Sequence, residues 1–248
     1  FAVSLAFLWV YLRRKNSPLA PDAELGRALR VNPPLLRAVL RIGVPTGVQM
    51  VTIAMAELAI LGLVNRYGAD ATAAYGAVNQ IVNYVQFPAL SIAITASILG
   101  AQAIGAGRTE RLSGIVRTGL ALNVVLTGAL VLLGYVLSRW LLGFFITTPR
   151  VLDMAQALLH VMLWSSVVFG MQALVAGVMR ASGTVWVPTG ISIACIVLVQ
   201  LPAAHFLSAR YGLSGVWMSY PVVFCTMLVL QSAFYLLVWR FRKIERLV

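Results

Sequence analysis

Six apolar segments, each near or above the roughly 18 residues that a membrane-spanning helix needs, dominate this sequence. They are Gly43–Val64, Val78–Gly100, Gly119–Leu137, Met154–Met179, Val185–Leu207 and Val216–Trp239. Hydrocarbon offers no partner to backbone N–H and C=O groups, so segments of this kind cross a bilayer as helices. The composition agrees, because 60% of the residues are hydrophobic and 10% are charged. We therefore predict an all-α transmembrane fold, a six-helix bundle in a cell membrane.

The residues before the first span divide into two predicted regions. Residues 1–12 are apolar but too short to cross, and Arg13, Arg14 and Lys15 follow them, so we interpret them as the end of a truncated transmembrane helix. Residues 13–41 are predicted to be a cytoplasmic linker. Within it, Pro33 favours a helix start, and the pattern that follows suits either a short amphipathic helix at the interface or an ordinary basic membrane-flanking stretch. Residues 42–248 form the predicted six-helix region.

The distribution of basic residues indicates how the bundle is oriented in the membrane. It does not indicate a nucleic-acid-binding surface. The net charge is +12, but Lys and Arg lie between the apolar segments instead of forming an exposed face among aromatics. Of the 19 Lys and Arg residues, 15 fall in alternate connections on one side of the predicted bundle. By the positive-inside rule, that side and the C-terminus are cytoplasmic. We predict membrane lipids as partners and no nucleic acid.

Glu57 is the one acidic residue of the sequence that lies well inside a predicted span. It stands some fourteen residues into the first one, about 21 Å at 1.5 Å per residue. A charge at that depth costs at least about 2.5–3.5 kcal/mol on insertion scales, so it must face a partner, water or a proton. Glu57 is therefore the leading candidate for a functional site in this sequence.

Amide side chains form a stripe on the next predicted helix. Asn79, Asn83 and Gln86 are spaced i, i+4 and i+7, which places them on one face. Counted from the outer ends of the predicted spans, Asn83 and Gln86 fall at about the depth of Glu57. The amides are interpreted either as the lining of a wet cavity shared with Glu57 or as hydrogen bonds between neighbouring helices.

His160 and Gln172 are further candidates in the fourth span. His160 could relay protons, or it could be a hydrogen-bonded residue between helices. Membrane catalysis needs convergent acid, base or metal groups, and a sequence with two His residues and one mid-span acid does not supply them. We predict that the chain is not an enzyme, has no catalytic residue and binds no cofactor.

Four stretches of this sequence, in their order, resemble the C-terminal lobe of the multidrug and toxic compound extrusion (MATE) family. They are Ile42-Gly43-Val44-Pro45-Thr46-Gly47-Val48-Gln49, Ser97-Ile98-Leu99-Gly100-Ala101-Gln102-Ala103-Ile104-Gly105-Ala106-Gly107-Arg108, Gly177-Val178-Met179-Arg180-Ala181-Ser182-Gly183-Thr184 with Val187-Pro188, and Tyr211-Gly212-Leu213-Ser214-Gly215-Val216-Trp217. The resemblance covers nearly the whole chain.

The resemblance implies one lobe of a twelve-helix antiporter that exports cationic amphipathic drugs in exchange for sodium ions or protons. The partner lobe would be the missing N-terminal half of the same polypeptide. In the NorM-like branch a helix-seven Glu belongs to the cation site, and Glu57 stands in the matching place. That branch also uses an Asp in helix ten, and 165–172, the matching region here, contains no acid.

Two other functions remain as alternatives at this point. A lipid-linked oligosaccharide or polysaccharide flippase shares the general fold, but its cavity should carry several basic residues, and no Lys or Arg lies deep in a predicted span. An intramembrane enzyme is the more remote alternative.

Overall fold

The computed structural model describes residues 2–14 and 33–241. The described residues form helices joined by short turns, with no strand among them. In chain order the helices are α1 (Ala2–Arg14), α2 (Pro33–Asn65), α3 (Ala69–Gly105), α4 (Arg111–Val136), α5 (Ser138–Gly143), α6 (Pro149–Leu163), α7 (Ser165–Ala181), α8 (Trp186–Cys195), a π-helical segment (Ile196–Gln200), α9 (Leu201–Tyr211), α10 (Leu213–Leu237) and a final 3-10 turn (Trp239–Phe241).

Six stretches of the described chain are long and apolar enough to cross a membrane. They are Val39–Asn65, Ala69–Gly105, Arg111–Val136, Pro149–Ala181, Trp186–Tyr211 and Leu213–Phe241. Each overlaps one of the six segments predicted from the sequence, so the prediction of a six-helix transmembrane bundle is confirmed.

Two of these spans are interrupted, although the sequence predicted each as continuous. Helix α6 ends at Leu163 and α7 begins at Ser165, whose hydroxyl donates to the Met162 carbonyl at 2.6 Å. A serine hydroxyl that donates to a backbone carbonyl in this way competes with the backbone hydrogen bonds of the helix. The fifth span contains the π-helical segment just before Pro202, which has no N–H to donate and so disturbs the regular ladder.

The chain divides into two units, Phe1–Gly43 and Val44–Val248. In the first, α1 is helical where the sequence predicted the end of a membrane helix, and its membership of a longer helix stays a prediction. Most of the predicted linker lies outside the described residues. Its predicted amphipathic helix does start at Pro33, but no break separates it from the first span, because α2 continues to Asn65 through Gly43 and Pro45. The linker and its amphipathic helix at the membrane surface stay a prediction.

The apolar core of the second unit has two large parts that share α3 and a smaller third part around the end of α8. One large part surrounds Val64, Val78 and Trp217, towards the turn that joins α2 to α3. The other large part contains Ala93 and Val178, towards the opposite end of α3. Helix α3 runs through both large parts and packs extensively against α4, α6 and α7. It is therefore the central helix of the described bundle.

Small residues and a buried amide hold α7 close to its neighbours. A Cβ on Gly177 would stand 3.0 Å from the Ala93 carbonyl oxygen, so the two backbones approach as closely as glycine allows. The fully buried Asn123 of α4 donates to the Val167 carbonyl at 3.0 Å and accepts from the Thr127 hydroxyl at 3.1 Å. This amide serves to bind helices together.

Gly215 permits the tight connection between α9 and α10, and Gly215→Ala should destabilise the bundle. A Cβ there would collide with the backbone carbonyl of Leu207. We expect a loss of about 1–3 kcal/mol, the usual cost of overpacking, measured as a lower thermal unfolding midpoint in detergent. Gly190→Ala is the matched control, because nothing lies within 4 Å of a Cβ at that helical position. Equal midpoints for Gly215→Ala and the unmutated protein would contradict the packing described here.

A candidate cation site at Glu57

Glu57 lies on α2 with its side chain exposed beside two buried neighbours. Ala56 packs with Cys195 and Met227 of the later helices, and Ile60 belongs to the core that lines the start of α3. Burial of these residues fixes the rotation of α2 about its axis. The Glu57 carboxylate is consequently presented at the edge of the bundle rather than within its apolar centre.

Two buried tyrosines from different helices meet next to this edge. Tyr75 of α3 and Tyr220 of α10 are 5% and 8% exposed, and their hydroxyl oxygens lie 2.8 Å apart in a hydrogen bond. The ring of Trp217 stacks on Tyr75 with ring centres 5.0 Å apart and planes inclined by 23°. Because packing immobilises all three rings, the hydroxyl pair has a fixed position.

Asn79 and Glu57 extend the hydroxyl pair into a polar cluster. Asn79 and Glu57 lie near the tyrosine hydroxyls, and no hydrogen bond described in the structure joins either of them to the pair. We call Glu57, Tyr75, Asn79 and Tyr220 the Glu57 cluster. The structure thus brings together two residues predicted from the sequence and two that were not.

The residue at which α3 begins changes the predicted depth of the amide stripe. The helix begins at Ala69, nine residues before the predicted start, because the alanine-rich first turns with Asp70 are helical although only weakly apolar. Asn79 then lies about 15 Å from the outer end of α3, close to the roughly 12 Å that separates Glu57 from the end of α2. Asn83 and Gln86 lie one to two turns deeper.

Asn83 and Gln86 are accordingly separate from the Glu57 cluster in the described contacts. Asn83 is exposed and Gln86 half-buried, and no hydrogen bond described in the structure joins either to Glu57. They share a helix face with Asn79, so they extend the polar stripe inward from the cluster. Their predicted role as cavity lining stays a prediction.

His160 and Gln172 occupy different surroundings. His160 Nε2 lies 3.2 Å from the Ser138 hydroxyl, and its backbone carbonyl accepts a hydrogen bond of 2.7 Å from the Tyr135 hydroxyl. The amide of Gln156 donates to the same Ser138 oxygen at 3.1 Å. These contacts favour the interpretation of His160 as a residue that joins helices. Gln172 is 7% exposed within α7, and its predicted role remains untested.

The Glu57 cluster offers oxygen atoms and no soft ligand. A carboxylate, an amide carbonyl and two hydroxyls suit a hard cation or a proton, whereas zinc or copper sites use imidazole and thiolate. Among the described residues, no group of three His, Cys, Asp or Glu side chains could hold a metal ion. The arrangement can therefore exchange one small cation or proton at a single negative charge.

The sequence patterns did not single out Tyr75 and Tyr220. Tyr75 stands four residues before Asn79 and so continues the polar stripe by one turn, a signal that the amide pattern alone did not include. Tyr220 lies in an apolar helix of large aromatic and aliphatic residues, where its hydroxyl has no periodic partner in sequence. Its role depends on a contact between residues 145 positions apart.

Comparison with protein families decides the assignment of the chain. The MatE family model matches residues 45–206, more than half of the sequence and nearly all of the first five spans. The chain belongs to the MatE family. This membership confirms the resemblance noted in the sequence and the expectation that the chain is not an enzyme.

Curated relatives agree with the MatE assignment. The chain is 42% identical over 243 residues to the probable multidrug resistance protein YoeA of Bacillus subtilis (strain 168), and the match covers 97% of this chain and 52% of that relative. It spans about half the length of the curated relatives it matches.

The same fold occurs in two crystal structures. A MATE protein in complex with MaL6 is 15% identical with a TM-score of 0.84, covering 95% of this chain and 53% of that one. A point mutant of the Vibrio cholerae MATE transporter VcmN is 17% identical with a TM-score of 0.82, covering 98% of this chain and 54% of the other. The chain therefore has the fold of about half of a MATE protein.

Proposed function

We propose that this chain is one lobe of a multidrug efflux transporter that exports cationic amphipathic compounds by antiport with sodium ions or protons. The other lobe would come from the N-terminal half of the same polypeptide. Family membership supports transport, and the YoeA relative is named as a probable multidrug resistance protein. The observation that carries the proposal is Glu57, an exposed carboxylate within a helix long and apolar enough to span a membrane, near the hydrogen-bonded hydroxyls of Tyr75 and Tyr220.

The proposed role of Glu57 is to bind the coupling cation in one state and release it in the other. A carboxylate in a span is costly unless a cation, proton or polar partner neutralises it. Tyr75, Tyr220 and Asn79 would supply oxygens that position the bound cation. A cationic drug would gain from the same negative charge, so drug and coupling cation would compete for Glu57. Such competition is what antiport needs.

The distribution of basic residues separates drug efflux from the flippase alternative. A pyrophosphate-linked lipid needs cationic side chains in the cavity. In the described spans Lys and Arg lie near helix ends, as Arg111 and Arg180 do, and none is among the residues of the Glu57 cluster. The negative cluster therefore favours cationic cargo.

Drug accumulation in cells tests this function. The full-length polypeptide carrying this sequence, expressed in a host without its own efflux pumps, should lower the steady-state level of a fluorescent cationic dye. An uncoupler that collapses ion gradients should restore the level. Unchanged dye accumulation at verified membrane expression would contradict the drug-efflux proposal.

The orientation of the bundle gives a separate prediction. Because 15 of the 19 basic residues cluster on one side, the C-terminus should be cytoplasmic. Alkaline phosphatase, which is active outside the cytoplasm, should be silent when fused after Val248 of the full-length protein and active when inserted after Gly68. High activity of the Val248 fusion would overturn the orientation.

A further inference from the structure

A long apolar groove separates α3 and α4 on the surface of the second unit. It has a volume of about 760 Å³, and its lining runs from Phe87 to Leu99 on α3 and from Gly114 to Leu126 on α4. Phe87 and Leu99 line it on α3, and Leu122 and Leu126 on α4. These side chains are 42–57% exposed, so the groove is open along its side.

The groove offers a ligand little besides apolar surface. The Ser91 and Thr95 hydroxyls on its α3 wall donate to carbonyls of their own helix, at 3.0 and 2.8 Å. No acidic side chain is among the described residues that line it. A cationic drug would therefore find no counter-charge there, whereas a hydrocarbon chain would fit.

Arg111 lies about one helical turn beyond the α4 end of the groove and is not among the residues that line it. It stands four, seven and eleven residues before Ile115, Thr118 and Leu122, so it lies on the helix face that lines the groove. It is exposed and is the first residue of α4, where its guanidinium can reach the headgroup region. No described ion pair neutralises it. Although Glu110 precedes it, Arg108 keeps this turn basic on balance.

We propose that this groove binds one anionic phospholipid, with an acyl chain along α3 and α4 and the phosphate at Arg111. Arginine recognises phosphate oxygens with paired N–H donors. The predicted orientation places Arg111 at the cytoplasmic leaflet, where anionic lipids attract basic residues. The groove shares no residue with the Glu57 cluster.

Gly114 is a position at which a larger side chain could fill the groove without colliding with neighbouring atoms. It lines the groove on α4, and nothing lies within 4 Å of a Cβ built there. Gly114→Leu should therefore occupy the space of the acyl chain. Gly128→Leu is the matched control, since Gly128 lies on the same helix, has equally open space and is outside the groove lining.

Native mass spectrometry of the full-length protein in mild detergent tests the site, with phosphatidylglycerol and phosphatidylethanolamine of identical acyl chains as probes. We expect one preferentially retained phosphatidylglycerol, reduced at least about fivefold in Gly114→Leu and unchanged in Gly128→Leu. Arg111→Gln should remove the preference for phosphatidylglycerol over phosphatidylethanolamine. Arg117→Gln should keep it, because Arg117 is turned by about 100° from Thr118 on the helix.

Several results would overturn the proposal. Retention of phosphatidylglycerol by Gly114→Leu, or of the preference by Arg111→Gln, would place the lipid elsewhere. Loss of the folded species in Gly114→Leu would mean that another part of the polypeptide fills the groove. Displacement of the lipid by a cationic dye would make the groove a drug site.

Discussion

Replacing Glu57 with Gln is expected to lower gradient-driven drug efflux by more than about tenfold, equivalent to at least about 1.4 kcal/mol in the rate-limiting barrier. Glutamine keeps the size and hydrogen-bonding capacity of the side chain but removes its negative charge. The variant should express and fold normally, because the Glu57 side chain is exposed and only its neighbours Ala56 and Ile60 are buried. The measurement is efflux by the full-length protein in vesicles with an imposed sodium or proton gradient.

Glu110→Gln is the control for this substitution. Glu110 is also exposed, but it lies in the turn before α4 and outside the Glu57 cluster. It should transport as the unmutated protein does. Full efflux by Glu57→Gln would remove Glu57 from the mechanism and shift attention to acids outside this chain.

Breaking the tyrosine pair should weaken the apparent affinity for the coupling cation. In Tyr220→Phe the Tyr75 hydroxyl loses its 2.8 Å partner and the cluster loses one oxygen. A net hydrogen bond contributes about 0.5–1.5 kcal/mol, so the half-saturating cation concentration should rise about 2- to 13-fold. The maximal efflux rate should change less than this concentration.

The tyrosine double variant distinguishes positioning from general loss of packing. Tyr75→Phe should have a similar effect, and the double variant should add little to either single one, because both break the same hydrogen bond. Tyr84→Phe is the control, since Tyr84 is exposed on α3 and lies outside the cluster. Fully additive effects, or an equal effect of Tyr84→Phe, would contradict the role of the hydroxyl pair.

The spans of this bundle could be predicted because each contains its own signal. A run of about 20 apolar residues must form a helix in hydrocarbon whatever its neighbours are. Interruptions inside spans are different. The π-helical segment before Pro202 and the break at Trp164 change hydropathy very little, although they change the backbone. Hydropathy therefore predicts where a span lies and not how regular it is.

The candidate site was predicted in part for a related reason. Glu57 could be predicted because a single carboxylate within an apolar segment is recognisable from the sequence alone. Asn79 was found by its helical spacing, but its level relative to Glu57 required the true start of α3 at Ala69. Tyr220 reaches Tyr75 from a helix late in the chain, and such a contact is set by the packing of α3 against α10 rather than by a local pattern.

The central claim is that one negative charge at Glu57 serves both the coupling cation and the drug. Binding of a fluorescent cationic drug to the purified full-length protein, titrated with sodium ions and separately with acid, tests it most directly. One of the two cations should release the drug, and by linkage the drug should weaken that cation's binding by the same factor. Glu57→Gln should abolish this coupling. Drug binding that neither cation changes, or coupling that persists in Glu57→Gln, would contradict the claim.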